Sequence, residues 1–107
     1  MTEPATPLQA APEALANGLL VYLKREDVHE LGAFKWRGAL PVVEGYAAAG
    51  VRAVVTASTG NHGAATAWAA ERAGVEAIVF VPKGASATKV ARITALRAEL
   101  RVDRRAR

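Results

Sequence analysis

Two apolar runs separated by an alanine-rich segment dominate the second half of the chain. VRAVVTAS (51–58) and AIVFVP (77–82) are nearly continuous apolar runs, which are typical of strands buried on both sides of a parallel sheet. Between them, AATAWAAERAG (64–74) contains strong helix formers and ends at Gly74, so it predicts a helix. The strand–helix–strand order predicts a parallel, right-handed unit and therefore an α/β fold.

The segments that precede this unit have a less regular pattern. LLVYLK (19–24) is apolar and predicts a strand, whereas residues 1–18 are rich in Pro and Ala and predict an extended initial segment. A helix is predicted over residues 34–49, although Pro41 within it requires either a kink or a later start near Gly38.

The last part of the chain carries most of the charge. KVARITALRAEL (89–100) predicts the final helix, and residues 101–107 form a basic tail. Residues 97–107 hold five arginines against Glu99 and Asp103, so most of the net charge of +4 lies there and the remainder is nearly neutral. Since no recognition motif is present either, a nucleic-acid-binding module is the weakest of the possible functions.

The composition excludes several other classes of protein. The chain has 107 residues, of which 51% are hydrophobic and 22% charged, and this balance is typical of a folded protein. It contains no cysteine and two histidines, so we expect no disulfide and no metal site. No apolar run is long enough to span a bilayer, and the start lacks the pattern of a signal peptide, so we expect a cytoplasmic protein.

The loop STGNHG (58–63) is the first candidate site. It follows a predicted buried strand and leads into a predicted helix, and ligands of open parallel sheets bind beyond the carboxyl ends of the strands. Its glycines allow close approach of the backbone, and its free N–H groups with the helix dipole favour an anion such as a carboxylate or phosphate. The alternative is that Ser58, Thr59 or Asn61 only caps the helix.

Lys35 is the second candidate, in LGAFKWRGAL (31–40) between two large aromatic residues. On a first helical turn its neighbours would be Gly38 and Ala39, with Gly32 on the preceding side. These small residues leave space beside the lysine for a flat group, and a lysine among apolar side chains can act as a nucleophilic amine toward an aldehyde. The alternative is an ordinary surface lysine at the start of a helix.

Three segments together resemble the pyridoxal-phosphate-dependent enzymes of the tryptophan synthase β type, or fold type II. The segments are TPL (6–8), VYLKREDVHELGAFKWRGA (21–39) and VVTASTGNHGAATAWAAERAGVEAIVFVPKGASATKV (54–90). Their order and spacing are most similar to those of threonine and serine dehydratases and related ammonia-lyases. The resemblance implies that residues 19–100 are an incomplete, N-terminal part of such an α/β enzyme.

The resemblance also implies a role for each candidate residue. Lys35 occupies the position of the lysine that attaches to the aldehyde of pyridoxal phosphate and moves protons at the substrate carbon. Asn61 matches the asparagine that hydrogen-bonds the ring hydroxyl of the cofactor. The loop that holds the α-carboxylate of an amino-acid substrate is matched by Ser58, Thr59, Gly60, Asn61 and His62. The implied reaction is loss of a β-hydroxyl or similar group, followed by release of ammonia.

The chain also departs from the family pattern. Ala33 stands in place of a serine, and Arg97 replaces the glycine that usually ends the last helix, so we expect this helix to continue into the tail. The resemblance ends at Leu100, before the glycine-rich loop that holds the cofactor phosphate. We therefore expect little activity alone, and association with further copies or a complementing chain. The alternative is a catalytically inactive remnant or association module.

Overall fold

The structure is a computed structural model that describes residues 3–103, so the last four residues of the predicted basic tail lie outside the described part. The chain divides into two compact units, residues 1–34 and 35–107. The division expected from the sequence, with boundaries after residues 18 and 100, stays a prediction. None of the helices in the described part is long and apolar enough to cross a membrane.

The first unit is built on a short antiparallel pair of strands. β1 (Leu8–Ala10) pairs with β2 (Tyr22–Lys24), and the helical turn α1 (Glu13–Ala16) lies between them in sequence. A single turn of 3-10 helix at Glu26–Val28 follows β2. All these elements are only three or four residues long, so hydrogen bonds and not a large apolar face hold this unit.

Two predictions for this unit need correction. The predicted strand over 19–24 is shortened to its last three residues, and the extended initial segment contains both a strand and a helical turn. The physical reason is the pair Asn17 and Gly18, whose positive φ angles of 49° and 80° reverse the chain before β2. Four helical residues are also too few to produce a detectable period in the sequence.

The second unit alternates helices with parallel strands. Its elements are α2 (Trp36–Ala48), β3 (Ala53–Ala57), α3 (Asn61–Ala73), β4 (Glu76–Pro82), α4 (Ala87–Ala95) and β5 (Glu99–Asp103). The strands form one sheet in the order β3–β4–β5, and both neighbouring pairs are parallel. The predicted α/β fold with a parallel sheet is therefore confirmed.

The sheet is covered mainly on one face, so the prediction of strands buried on both faces is wrong. Val79 and Val81 are buried with Ile93 of α4, whereas Ile78 and Phe80 between them are only half-buried. Val55 on β3 is 60% exposed. The strand order gives the reason: both crossovers advance in the same direction, and right-handed crossovers of this kind place their helices on the same face.

Helix α3 is the central element of the second unit. Every residue from Gly63 to Ala70 is buried, since α3 packs against β3 and β4 and also against α2. Trp36 of α2 meets Trp68 of α3 edge to face, with ring centroids 5.8 Å apart, so both tryptophans are core residues as expected. The helix begins three residues earlier than predicted and ends, as predicted, at Gly74, which is left-handed with φ 72°.

Helix α2 settles the question of Pro41. The helix begins at Trp36 and not near Gly38, and Pro41 lies inside it, in the second turn. The proline therefore does not set the start of the helix. The buried residues of α2, Trp36, Leu40 and Val43, recur every three or four positions along one face of the helix.

The final helix does not continue into the tail, contrary to prediction. α4 is capped by Ser86, whose Oγ accepts a hydrogen bond from the Lys89 amide at 3.2 Å, and it ends at Ala95. Arg97 takes the left-handed conformation, φ 62°, although it is not glycine. This costs about 1–2 kcal/mol, and the pairing of β5 with β4 offsets the cost. Residues 101–103 thus belong to a strand.

Candidate functional site

The loop that joins β3 to α3 lies at the carboxyl edge of the sheet. Gly60 is the N-cap of α3, and no side chain caps this helix, so the reading of the loop as a simple side-chain cap is wrong. Ser58 instead closes the loop on itself, since its Oγ accepts a hydrogen bond from the Gly60 amide at 3.2 Å. The first-turn N–H groups of α3 therefore have no side-chain cap within the part of the chain that the structure describes.

Gly63 fixes the position of this loop on the helix. A Cβ atom at residue 63 would lie 2.1 Å from the carbonyl oxygen of Ser58, which no real side chain tolerates. The sequence predicted that the glycines let the backbone approach a ligand closely, but Gly63 instead allows close approach to the backbone of Ser58. At Gly60 a Cβ would meet nothing nearer than the Ser58 Oγ at 4.0 Å, so space remains open on that side of the loop.

A cavity of about 450 Å³ opens beside the loop. It is lined by Ala57, Ser58, Thr59, Gly60, Phe80, Val81, Pro82, Lys89 and Asp103. These residues come from the ends of all three strands and from α4, so the cavity lies where ligands of parallel sheets bind. Lys89 and Asp103 were not selected from the sequence. The strand-end rule could not select Asp103, because the sequence predicted a helix and a tail where β5 lies, and Lys89 belongs to the helix after β4 and not to the end of the strand.

Asn61 is held by a residue that sequence reasoning also missed. Its Oδ1 accepts a hydrogen bond from Nη1 of Arg92 on α4 at 3.0 Å. The two residues are 31 positions apart, and no local pattern connects them. His62, the next residue, has an exposed side chain, and its backbone carbonyl accepts a hydrogen bond from Thr66 Oγ1 at 2.8 Å.

Lys35 directly precedes α2, with φ −61° and ψ −21°, and its side chain is exposed. Its carbonyl oxygen accepts a hydrogen bond from the Ala39 amide at 3.1 Å, so the lysine stands on the first turn as expected. A Cβ at Gly38 would meet nothing within 4 Å, which leaves the predicted space open. The contact of Trp36 with Trp68 anchors this turn to α3.

The structure gathers only part of the predicted site into the cavity. Ser58, Thr59 and Gly60 line it, whereas Lys35, Asn61 and His62 are not among the described residues of its lining. Lys35 and the loop nevertheless precede neighbouring helices, because α2 packs along α3. The assignment of these six residues to a cofactor or substrate stays a prediction.

The first unit contains a separate group of possible metal ligands. Ligand atoms of Glu3, His29 and Glu30 lie within 4.8 Å of one another. Nδ1 of His29 accepts a hydrogen bond from the Leu31 amide at 3.1 Å, so a neutral His29 carries its proton on Nε2. The Nε2 atom faces Glu3 at 3.9 Å, and a protonated nitrogen cannot coordinate a metal. This hydrogen bonding opposes a metal site.

Comparison with known proteins agrees with this fold. The family model described as "Pyridoxal-phosphate dependent enzyme" matches residues 1–105, five residues beyond the point where the resemblance was expected to end. Threonine synthase of Mycobacterium leprae (strain TN) is 42% identical over 85 residues, which are 78% of this chain and 24% of that protein. Serine racemase of Arabidopsis thaliana is 43% identical over 75 residues, which are 69% of this chain and 23% of that protein.

Solved structures show the same relationship. The processed form of threonine deaminase isoform 2 from Solanum lycopersicum superposes with a TM-score of 0.86 at 30% identity, covering 94% of this chain and 28% of that chain. The chain therefore spans less than a third of each of these three proteins, and their names describe three different reactions. On the fold, the family match and these relatives, the chain belongs to the pyridoxal-phosphate dependent enzymes.

Proposed function

We propose that this chain forms the part of a pyridoxal-phosphate-dependent amino-acid lyase that binds the substrate carboxylate and carries the reactive lysine. The proposed reaction is elimination of a β-hydroxyl group from an amino acid such as threonine or serine, with release of ammonia. The main supporting observation is the cavity at the carboxyl edge of the sheet, lined by Ser58, Thr59 and Gly60. A relative named threonine deaminase supports this reaction.

The loop is suited to a carboxylate for electrostatic reasons. The first N–H groups of α3 have no acceptor within the helix, and thirteen aligned peptide dipoles place positive potential at this end. The hydroxyl groups of Ser58 and Thr59 can add two donors beside them. We assign the α-carboxylate of the substrate to this group of donors, with His62 contributing through its backbone N–H and Gly60 leaving room for the ligand.

The residues present also fit the cofactor. The open space beside Lys35 at Gly38 admits a flat ring, and the Asn61 amide is available as a donor to a ring hydroxyl. We assign covalent attachment of the cofactor to Lys35 Nζ, which would also carry a proton to and from the substrate carbon. When bound, pyridoxal phosphate supplies the electron sink for the elimination. The remaining groups would come from a second copy or a complementing chain.

An association module is the second candidate, and a specific observation favours it. The second unit exposes several large apolar side chains, namely Val42 at 55%, Tyr46 at 50%, Val51 at 38% and Val55 at 60%. Exposed apolar groups of this kind mark interfaces when they cluster. Analytical ultracentrifugation and chemical labelling together separate the candidates. An association module oligomerises whether or not cofactor is added, and it shows no selective reaction of the cofactor at Lys35.

Borohydride reduction in the presence of pyridoxal phosphate, followed by peptide mapping, tests the proposed function. We expect label at Lys35, and much less at Lys24 or Lys83. Lys89 is the lysine that competes most directly with Lys35 for the cofactor, because it lines the cavity. Lys35→Arg should abolish the selective label, whereas Lys89→Arg, the matched control, should leave it at Lys35. Equal labelling of all four lysines would contradict the proposal.

A further inference from the structure

The contact between α4 and the start of α3 fixes the orientation of the Asn61 side-chain amide. A guanidinium group has five N–H donors and no acceptor, so the Asn61 atom that faces Arg92 Nη1 at 3.0 Å must be the carbonyl oxygen. The carbonyl oxygen and the NH2 group of an amide point in different directions from the same carbon atom. Once its oxygen is held in this way, the NH2 group of Asn61 is the part that remains to be donated to another acceptor.

The position of Arg92 connects this contact to the cavity. Arg92 follows Lys89 by three residues on α4, so the two side chains stand on the same side of the helix. Lys89 lines the cavity together with Ser58, Thr59 and Gly60, and Asn61 is the next residue after this loop. The Arg92–Asn61 pair therefore lies at the border of the cavity.

We propose that Arg92 is a positioning residue that holds the Asn61 amide with its NH2 group presented to an electron-rich oxygen of the bound ligand. The guanidinium polarises the amide, and a donor in a polarised chain of hydrogen bonds is stronger than an isolated one. The ligand oxygen it selects is an anionic or phenolic one. The inference rests on the proposed function, in which this oxygen belongs to the ring hydroxyl of pyridoxal phosphate.

Substitutions of different hydrogen-bonding character separate orientation from structure. Arg92→Lys keeps a donor and should retain most of the effect. Arg92→Gln can donate or accept, so it leaves the amide free to flip, whereas Arg92→Glu only accepts and should reverse the amide. Asn61→Asp keeps the bond to Arg92 but removes the NH2 group. Arg52→Gln removes one exposed arginine elsewhere in the same unit and serves as the charge control.

The first measurement needs no ligand. In ¹⁵N-labelled full chain, the side-chain NH2 signals of Asn61, assigned by their loss in Asn61→Ala, report the environment of the amide. They should shift in Arg92→Gln and Arg92→Glu and stay in place in Arg52→Gln. Unchanged signals in both Arg92 variants would overturn the inference, because the contact would then not hold the amide.

The second measurement is retention of pyridoxal phosphate, read as the yield of borohydride-trapped Lys35 at limiting cofactor. Loss of one hydrogen bond corresponds to about a threefold to tenfold weaker retention in Arg92→Gln. We expect Arg92→Glu and Asn61→Asp to be weaker still, and Arg92→Gln to add nothing to Asn61→Ala. Shifted amide signals with unchanged retention in Arg92→Gln, or a retained cofactor in Asn61→Asp, would overturn the inference.

The two proposals fail in different ways. If the unsubstituted chain shows no selective label at Lys35, the proposed function fails, and the NH2 signals of Asn61 alone decide whether Arg92 orients the amide. If Lys35 is labelled normally in every Arg92 variant, the proposed function stands and the positioning role of Arg92 is wrong.

Discussion

The two compact units of this chain are held by different kinds of interaction. In residues 1–34 the contacts are mainly polar: the Thr6 hydroxyl donates to Glu26, Lys24 Nζ donates to the Thr6 carbonyl, and Arg25 pairs with Asp27. Its apolar side chains are largely exposed, with Leu20 at 84%.

In residues 35–107 the contacts are apolar and span the unit. Ile93 of α4 and Val79 of β4 are both fully buried, and α3 is buried from Gly63 to Ala70. The candidate loop and Lys35 both belong to this unit. The difference teaches that the residues proposed to act on a ligand are placed on the better packed part of the chain, where their backbone positions are fixed.

Truncation of a central apolar side chain should have the largest effect. Ile93→Ala removes a fully buried side chain from the cluster with Val79 and Val81, and we expect a loss of about 2–5 kcal/mol in the free energy of unfolding. Leu20→Ala in the first unit removes an exposed side chain and should change stability by less than about 0.5 kcal/mol. Urea unfolding of both variants measures the contrast, and equal losses would contradict it.

Filling the tight approach at Gly63 should have the next largest effect. Gly63→Ala places a methyl group 2.1 Å from the Ser58 carbonyl oxygen, so the loop must move, at a cost of about 1–3 kcal/mol. The matched control is Gly38→Ala in α2, where nothing lies within 4 Å and the helix gains about 0.5–1 kcal/mol. Thermal melts should therefore shift in opposite directions, and a neutral Gly63→Ala would disprove the close contact.

The polar residues of the loop should separate stability from ligand binding. Ser58→Ala removes the acceptor of the Gly60 amide and should cost about 0.5–1.5 kcal/mol in stability. Ser58→Ala and Thr59→Ala should weaken the spectral response to an amino acid, while Asn61→Ala should weaken retention of the cofactor. For each variant, the melting temperature is measured together with the change that an amino acid causes in the absorption spectrum of the bound cofactor. Equal losses of stability with unchanged binding would reject the functional role of the loop.

The smallest effect belongs to the ion pair of the first unit. The hydrogen bond from Arg25 lowers the pKa of the Asp27 carboxyl below its usual value near 3.8. The pair therefore stabilises the folded unit above that pH, and its contribution is lost as the pH falls through the lowered pKa. A carbon-13 titration of the Asp27 carboxyl should show the shift, and Arg25→Gln should remove it. The Asp27 side chain is exposed and that of Arg25 is half-buried, so solvent screens the pair and global stability should hardly change.

The sequence predicted those features that depend on neighbouring residues. Apolar runs around 51–58 and 77–82 specified the parallel strands, Gly74 ended α3, and the loop at 58–63 marked the carboxyl edge of the sheet. The local pattern around Lys35 allowed either a reactive amine or an ordinary surface lysine, and the resemblance favoured the reactive amine. This role remains to be tested by chemical labelling.

The tertiary structure decided what depends on distant residues. Asn61 and Arg92 meet across 31 positions, and Asp103 reaches the cavity because β5 pairs with β4. The same pairing holds Arg97 in a left-handed conformation that its own preference opposes. Local propensity acts over a few residues and is worth about 1 kcal/mol or less at each, so the contacts made between elements determine where a helix ends and which side chains form a site.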